Sequence, residues 1–152
     1  MILSRLARDL GTGIVAGLAG TLAMTISSTV EQKLRDRPAS DAPARAAEKL
    51  LAIEKFASDD AERRFGTLAH WGYGTAWGMV RGLLRGFGLS PALATGAHFA
   101  AMWGGEQVIL PTLDVAPPAT MWPRQEVAID VGHHLVYEAV STLTYEWLRR
   151  QP

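Results

Sequence analysis

The chain is 152 residues long, the size of one domain, with 15 basic and 15 acidic residues and a formal net charge of zero. Balanced charge removes the broad basic field of a nucleic-acid-binding protein, so no nucleic-acid partner is expected. The absence of cysteine removes disulfides, thiolate metal sites and thiol nucleophiles.

The first element is the run LGTGIVAGLAGTLAMTISSTV, 21 residues from Leu10 to Val30 without a charge. About 20 apolar residues suffice for a helix to cross a bilayer, so residues 10–30 are read as a first transmembrane helix. Arg5 and Arg8 precede it, as they would a secretory signal, but no convincing small-x-small cleavage site follows.

Residues 31–64 are a polar connection, mixing charges of both signs with prolines. Asp41 stands where a cap would, Pro43 falls in the first turn behind it, and Ala46, Leu50, Ile53 and Ala57 share a face opposite Arg45, Glu48 and Lys55. A short amphipathic helix over 44–56 is predicted, lying on the membrane or packed on the bundle. Ser58 and Asp59 with Glu62 form the start signal of the next element.

That element, helix two, is placed at about 65–86. Gly66, Gly74, Gly78, Gly82 and Gly86 lie on a four-residue grid, with His70 in the position between the first two. In lipid such a stripe lets backbones approach closely, because dispersion contacts replace the hydrophobic drive between helices. Helix three, at about 91–110, offers Ala92, Gly96, Ala100 and Gly104 as a partner stripe, and helix one offers Gly13 and Gly17. These faces are expected to pack within the chain, with a second copy or another membrane protein as the alternative partner. Helix four, at about 127–148, holds Asp130, His133, His134 and Glu138 inside an apolar run. The fold expected is all-α: a membrane-embedded four-helix bundle with one additional short helix between helices one and two. A soluble helical bundle with a glycine-rich core is the rival.

Four alternating crossings place the end of helix one, the start of two, the end of three and the start of four on one side. At 1.5 Å per residue, His70, Glu106, Asp130 and His134 then lie about 5–10 Å below that surface, with Glu138 at about 16 Å and His98 near the midplane. Glu31 sits at the rim. Ionisable groups cost about 2.5–3.5 kcal/mol each in hydrocarbon, so Glu31, His70, Glu106, Asp130, His134 and Glu138 are expected to form an interior polar cluster. His134 is expected to meet His70 on the bundle axis, with His133, about 100° around the helix, facing a neighbouring helix or the periphery.

Three readings of this cluster compete: interhelical polar contacts that fix the fold, a proton-handling chain, or a divalent-metal site with His70, His134 and Glu106 as ligands. The first is favoured, since no ExxH or HExxH spacing occurs. A haem held by His70 and His134 is the weakest variant, because glycine-rich packing leaves little room. No catalytic triad, phosphate loop or cofactor fingerprint occurs either, so no catalytic residue is assigned and the reading leans away from an enzyme.

The segments AHWGYGTAWG, LPTLDVAPPATMWPRQE and GHHLVYEAVSTLTYEWLRR together resemble the YagU-like (DUF1440-like) family of bacterial inner-membrane proteins. The resemblance covers helix two and the C-terminal half best, and His70 and His134 are the positions it carries across. It implies a small multipass inner-membrane protein and supplies no activity. The expected role is structural, accessory or stress-related. For orientation, Arg5, Arg8, Arg81, Arg85, Arg149 and Arg150 share one side, which places both termini in the cytoplasm. The eight Lys and Arg residues of the first connection argue the other way. Trp122 and Trp147 fit the belt positions at the membrane interface.

Overall fold

The computed structural model describes residues 2–151, and among them there is no strand. Helix α1 spans Ile2–Arg35, α2 Ala42–Leu50, α3 Asp59–Gly86, α4 Pro91–Thr112 and α5 Arg124–Arg149, with a short 3-10 turn at Ala119–Met121. The long helices therefore extend past the expected spans, α3 by more than a turn into the polar connection. Of the two expected start signals, Ser58 caps its helix and Asp41 does not; Ser90, not among the expected signals, caps α4. Ser58 accepts from the amide of Ala61, and Ser90, ahead of Pro91, accepts from that of Leu93. Asp41 occupies the cap position of α2 without a side-chain cap bond.

Four helices end in the same way, with a left-handed residue and an amide reaching back five positions. These residues are Asp36, Ala52, Gly88 and Asp114, and the returning bonds run from Arg37 to Gln32, Ile53 to Glu48, Leu89 to Leu84 and Val115 to Leu110. Only one of the four is glycine.

The four long helices form an up-down-up-down ring in the order α1, α3, α4, α5, closed by α5 against α1. The inner face of α1 is made of small residues, with Gly13, Ala16, Gly17, Gly20 and Thr21 all buried. It meets the Gly74, Gly78 and Gly82 stripe of α3. A β-carbon on Gly17 would lie 2.9 Å from the Gly74 carbonyl oxygen and from the Gly78 α-carbon, and one on Gly78 would overlap the backbone of Gly13 and Gly17. Only glycine permits this approach. Gly66, at the other end of the grid, lies beside Ala44 of α2, and Gly86 beside Asp9.

The partner of the α3 stripe is thus α1, and the expected pairing of α3 with the small residues of α4 is corrected. Ala92, Gly96 and Ala100 are exposed, and a β-carbon on Gly96 or Gly104 would meet nothing within 4 Å. The reason lies in the opposite face of α4, where Ala94, His98 and Met102 are buried. A helix that turns a bonded histidine inward must turn its glycines outward.

Candidate functional site: the polar interior of the bundle

The bundle interior is polar along much of its length. Asp9, Thr21, Arg81, His98, His134, Glu138 and Ser141 are buried, whereas the buried large apolar side chains are few: Met102, Val115, Tyr137 and Tyr145 among them. The outer surface is the reverse, with Val15, Leu18, Leu22, Ile26, Val30 and Leu34 exposed along α1 and Leu68, Leu93, Val108, Leu135 and Leu143 exposed on the other three long helices.

The polar side chains fall into four groups. At the α2 end, Glu31 accepts from Arg35 at 2.9 Å and from Arg37 Nε at 2.9 Å, with a further short bond to Arg37 Nη2. Arg35 also pairs with Glu126, tying the end of α1 to the start of α5. Arg37 holds the Glu31 carboxyl down at about 2, with Arg35 adding to the pull against the opposing effect of burial. Glu126 is lowered by its bond to Arg35, and Arg35 is raised in return, most by Glu126. Beside this network, His133 Nδ1 lies 2.8 Å from Ser27 Oγ of α1 and its Nε2 lies 3.7 Å from Glu31. His133 thus faces a neighbouring helix.

The second group lies one to two turns further in. His134 Nδ1 donates to the Asp130 carbonyl at 2.8 Å, and its Nε2 lies 3.0 Å from Glu106 Oε2. The Asp130 carboxylate is 3.7 Å from His134 Nδ1 and accepts from Trp103 Nε1 at 2.8 Å. Tyr73 donates to Glu106 at 3.0 Å. Glu106, Asp130 and His134 are therefore brought together as expected from their depths. His70 has a different partner: its Nε2 lies 2.9 Å from Thr25 Oγ1 on α1. Ring order decides this, because α3 packs most extensively on α1 and its small-residue face draws His70 toward that helix. The expected His70–His134 contact is replaced by these two separate bonds, and of the three residues named for a metal only Glu106 and His134 meet. Among the described residues no group of three His, Asp or Glu side chains is arranged to hold a metal ion.

The third group sits at mid-depth and takes Glu138 away from the expected cluster. Glu138 Oε2 lies 2.5 Å from His98 Nδ1, and its Oε1 lies 3.3 Å from Arg81 Nη1 and accepts from Thr142 at 3.0 Å. Arg81, with no exposed surface, also donates to Thr95 at 2.8 Å and lies 3.5 Å from Glu146, which Arg85 holds at 2.7 Å. Alongside, Tyr137 donates to the Gly74 carbonyl at 2.6 Å, crossing the bundle from α5 to α3. The fourth group closes the end that carries the termini: Tyr145 donates to Asp9 at 2.8 Å, with Arg149 4.0 Å from the same carboxylate.

Arg81, expected from the sequence to flank the membrane together with Arg85, is interior, and Arg85 is largely covered by its pairing with Glu146. A signal existed: Arg81 stands three residues after Gly78 and one before Gly82, on the face that α3 buries. With Arg81 and Arg85 used inside the bundle, only Arg5, Arg8, Arg149 and Arg150 are left as flanking charges at the end that carries the termini. Trp122 donates to the Pro117 carbonyl at 2.8 Å, bracing the proline-rich turn, while Trp147 is 61% exposed.

Compared with protein-family models, curated proteins and solved structures, the chain matches none.

Proposed function

We propose that this chain is a small multipass membrane protein with a structural or accessory role, including one in stress, whose four long helices cross the bilayer and whose interior polar groups serve chiefly as contacts between helices. One observation carries the reading: the polarity of the bundle is inverted. Single exposed leucines mean little, since much of any protein surface is apolar. A fully buried arginine, a buried histidine–glutamate pair and large apolar side chains exposed along all four long helices together mean more. In water that arrangement exposes what should be buried and desolvates what should be exposed. In lipid it is the arrangement expected, with ionisable groups turned to the interior and paired.

By length and composition, α1 alone among the described residues qualifies as a span. Only 28% of its apolar window is buried, against the nearly complete burial of a central helix in a soluble bundle. The charges that lower the hydropathy of α3 and α5 include Arg81 and Glu138, which are interior. They are no obstacle to crossing. The bacterial inner membrane as location, and membership of the YagU-like family, belong to the same proposal. Neither adds an activity.

Membrane fractionation followed by carbonate extraction tests the reading. The protein is expected in the resistant pellet; release into the soluble fraction overturns it and restores the soluble bundle.

A further inference from the structure

His98 has no exposed surface, and both its ring nitrogens are engaged. Nε2 lies 2.8 Å from the carbonyl oxygen of Trp77, which can only accept, so Nε2 carries a hydrogen. Nδ1 lies 2.5 Å from Glu138 Oε2. A neutral ring with its hydrogen on Nε2 would there set a lone pair against a bare carboxylate oxygen. A proton must lie between them, either on Glu138 as a carboxylic acid or on His98 as an imidazolium.

That proton is in excess of what the surroundings require. Around the pair, the two guanidinium groups of Arg81 and Arg85 balance the carboxylates of Glu138 and Glu146 without it. Among the described residues no carboxylate of α4 is bonded to His98; α1 packs Gly20 on the Tyr137 ring that stacks on His98, and the α1 carboxylate at this end of the bundle, Asp9, is bonded to the Tyr145 hydroxyl. His134 differs: two carboxylates and no guanidinium surround it, so its proton serves charge balance. Arg81 is also incompletely committed. Its contacts with Glu138 and Glu146 are long, at 3.3 and 3.5 Å, and its buried Nε has no partner. A buried N–H left unbonded is costly and rare. Arg81 therefore keeps donor capacity in reserve beside the group whose charge would grow.

We propose that His98 and Glu138 form a proton-binding site in the bundle core, with one exchangeable proton between Nδ1 and Oε2 and Arg81 as the counter-ion that closes on Glu138 when the proton leaves. Release leaves a neutral imidazole, protonated on Nε2, and a glutamate carboxylate; the proton passes to water, and the charge of the cluster falls from plus one to zero. The hydroxyls of Thr142 and Thr95, 3.4 Å apart and only partly buried, lead from Glu138 toward the end that carries the termini. On the opposite side the rings of Trp77 and Tyr137 pack on His98 with centroids at 5.8 and 6.1 Å. The proton exchanges from the termini end.

This deepens the reading of the interior as polar contacts by giving one of them a ligand. It rests on the helix packing and not on the bilayer, so carbonate extraction and the following measurement fail independently. Nitrogen NMR of isotope-labelled histidine, in protein reconstituted in vesicles of neutral lipid, reads each ring nitrogen from acid to alkaline pH, with the His98 signals identified by their loss in His98→Asn. The expected result is a His98 Nε2 that stays protonated throughout and an Nδ1 that passes through a single one-proton transition. That transition is lost in Glu138→Gln and kept, at a shifted pH, in Glu138→Asp. A wild-type His98 that holds one unchanging state over the whole range overturns the proposal even if neither variant folds. So does a transition that Glu138→Gln leaves in place.

Discussion

At the scale of single residues, most buried polar atoms find a partner, some within their own helix, as Thr21 and Ser141 do, and others on a neighbouring one, as His98, Arg81 and Tyr137 do. Removing one partner should therefore cost at least the net worth of the bond. Tyr137→Phe deletes the hydroxyl that donates to the Gly74 carbonyl and is expected to destabilise the bundle by about 1 kcal/mol, read as a lower denaturation midpoint in detergent. Glu31 supplies a test by pH. Its folded carboxyl lies at about 2, below an ordinary value of 4.5, chiefly because of Arg37. A depressed carboxylate stabilises the fold fully above the ordinary value and loses that contribution as pH falls toward 2. Wild-type thermal stability should decline through this window, and Glu31→Gln should show a shallower decline in melts followed by circular dichroism. Equal slopes would remove Glu31 from the account. The depth of Glu106, Asp130 and His134 was legible in the sequence because helical rise is constant. The partner of His70 was not, because depth says nothing about which neighbour a side chain turns toward.

At the scale of elements, the seam between α1 and α3 and the outer face of α4 make opposite predictions for the same substitution. Gly78→Ala would drive a methyl group into the Gly13 and Gly17 backbone, where no flexible side chain can yield. A loss of about 1–3 kcal/mol, the range for overpacking, is expected. Gly96→Ala meets nothing within 4 Å and should leave stability unchanged or slightly raised. The comparison is made by matched denaturation in one detergent. If Gly96→Ala is as damaging as Gly78→Ala, the α4 face is in contact with another chain. The small-residue repeat was visible on both helices, and its function differed between them. Periodicity identifies a face, whereas the burial of His98 on the other side of α4 decides which way that face turns.

At the scale of the whole molecule, the inverted polarity gives bilayer and water opposite consequences for a charge placed outside. Leu22 is 51% exposed in the middle of α1, in line with Leu18 and Ile26. Leu22→Lys would cost about 2.5–3.5 kcal/mol at a bilayer centre and is expected to reduce the fraction of chain in the carbonate-resistant pellet. In a water-soluble bundle the same change would be harmless or would improve solubility. An undiminished pellet fraction for Leu22→Lys would place α1 away from lipid.

What the sequence by itself determined was one-dimensional: roughly where the long helices run, the start of α3 at Ser58, which residues share a face and how far along its helix each lies. Hydrogen bonding along the backbone and a 3.6-residue period are local, so a single chain read in order carries them. Tertiary structure alone decided the pairing. The ring order α1, α3, α4, α5 puts His70 beside Thr25, His134 beside Glu106 and Glu138 beside both His98 and Arg81. Those partners depend on which helices are neighbours and how each is rotated about its axis. Both are set by close packing summed over whole faces, above all the glycine seam that draws α1 onto α3 and leaves Arg81 inside.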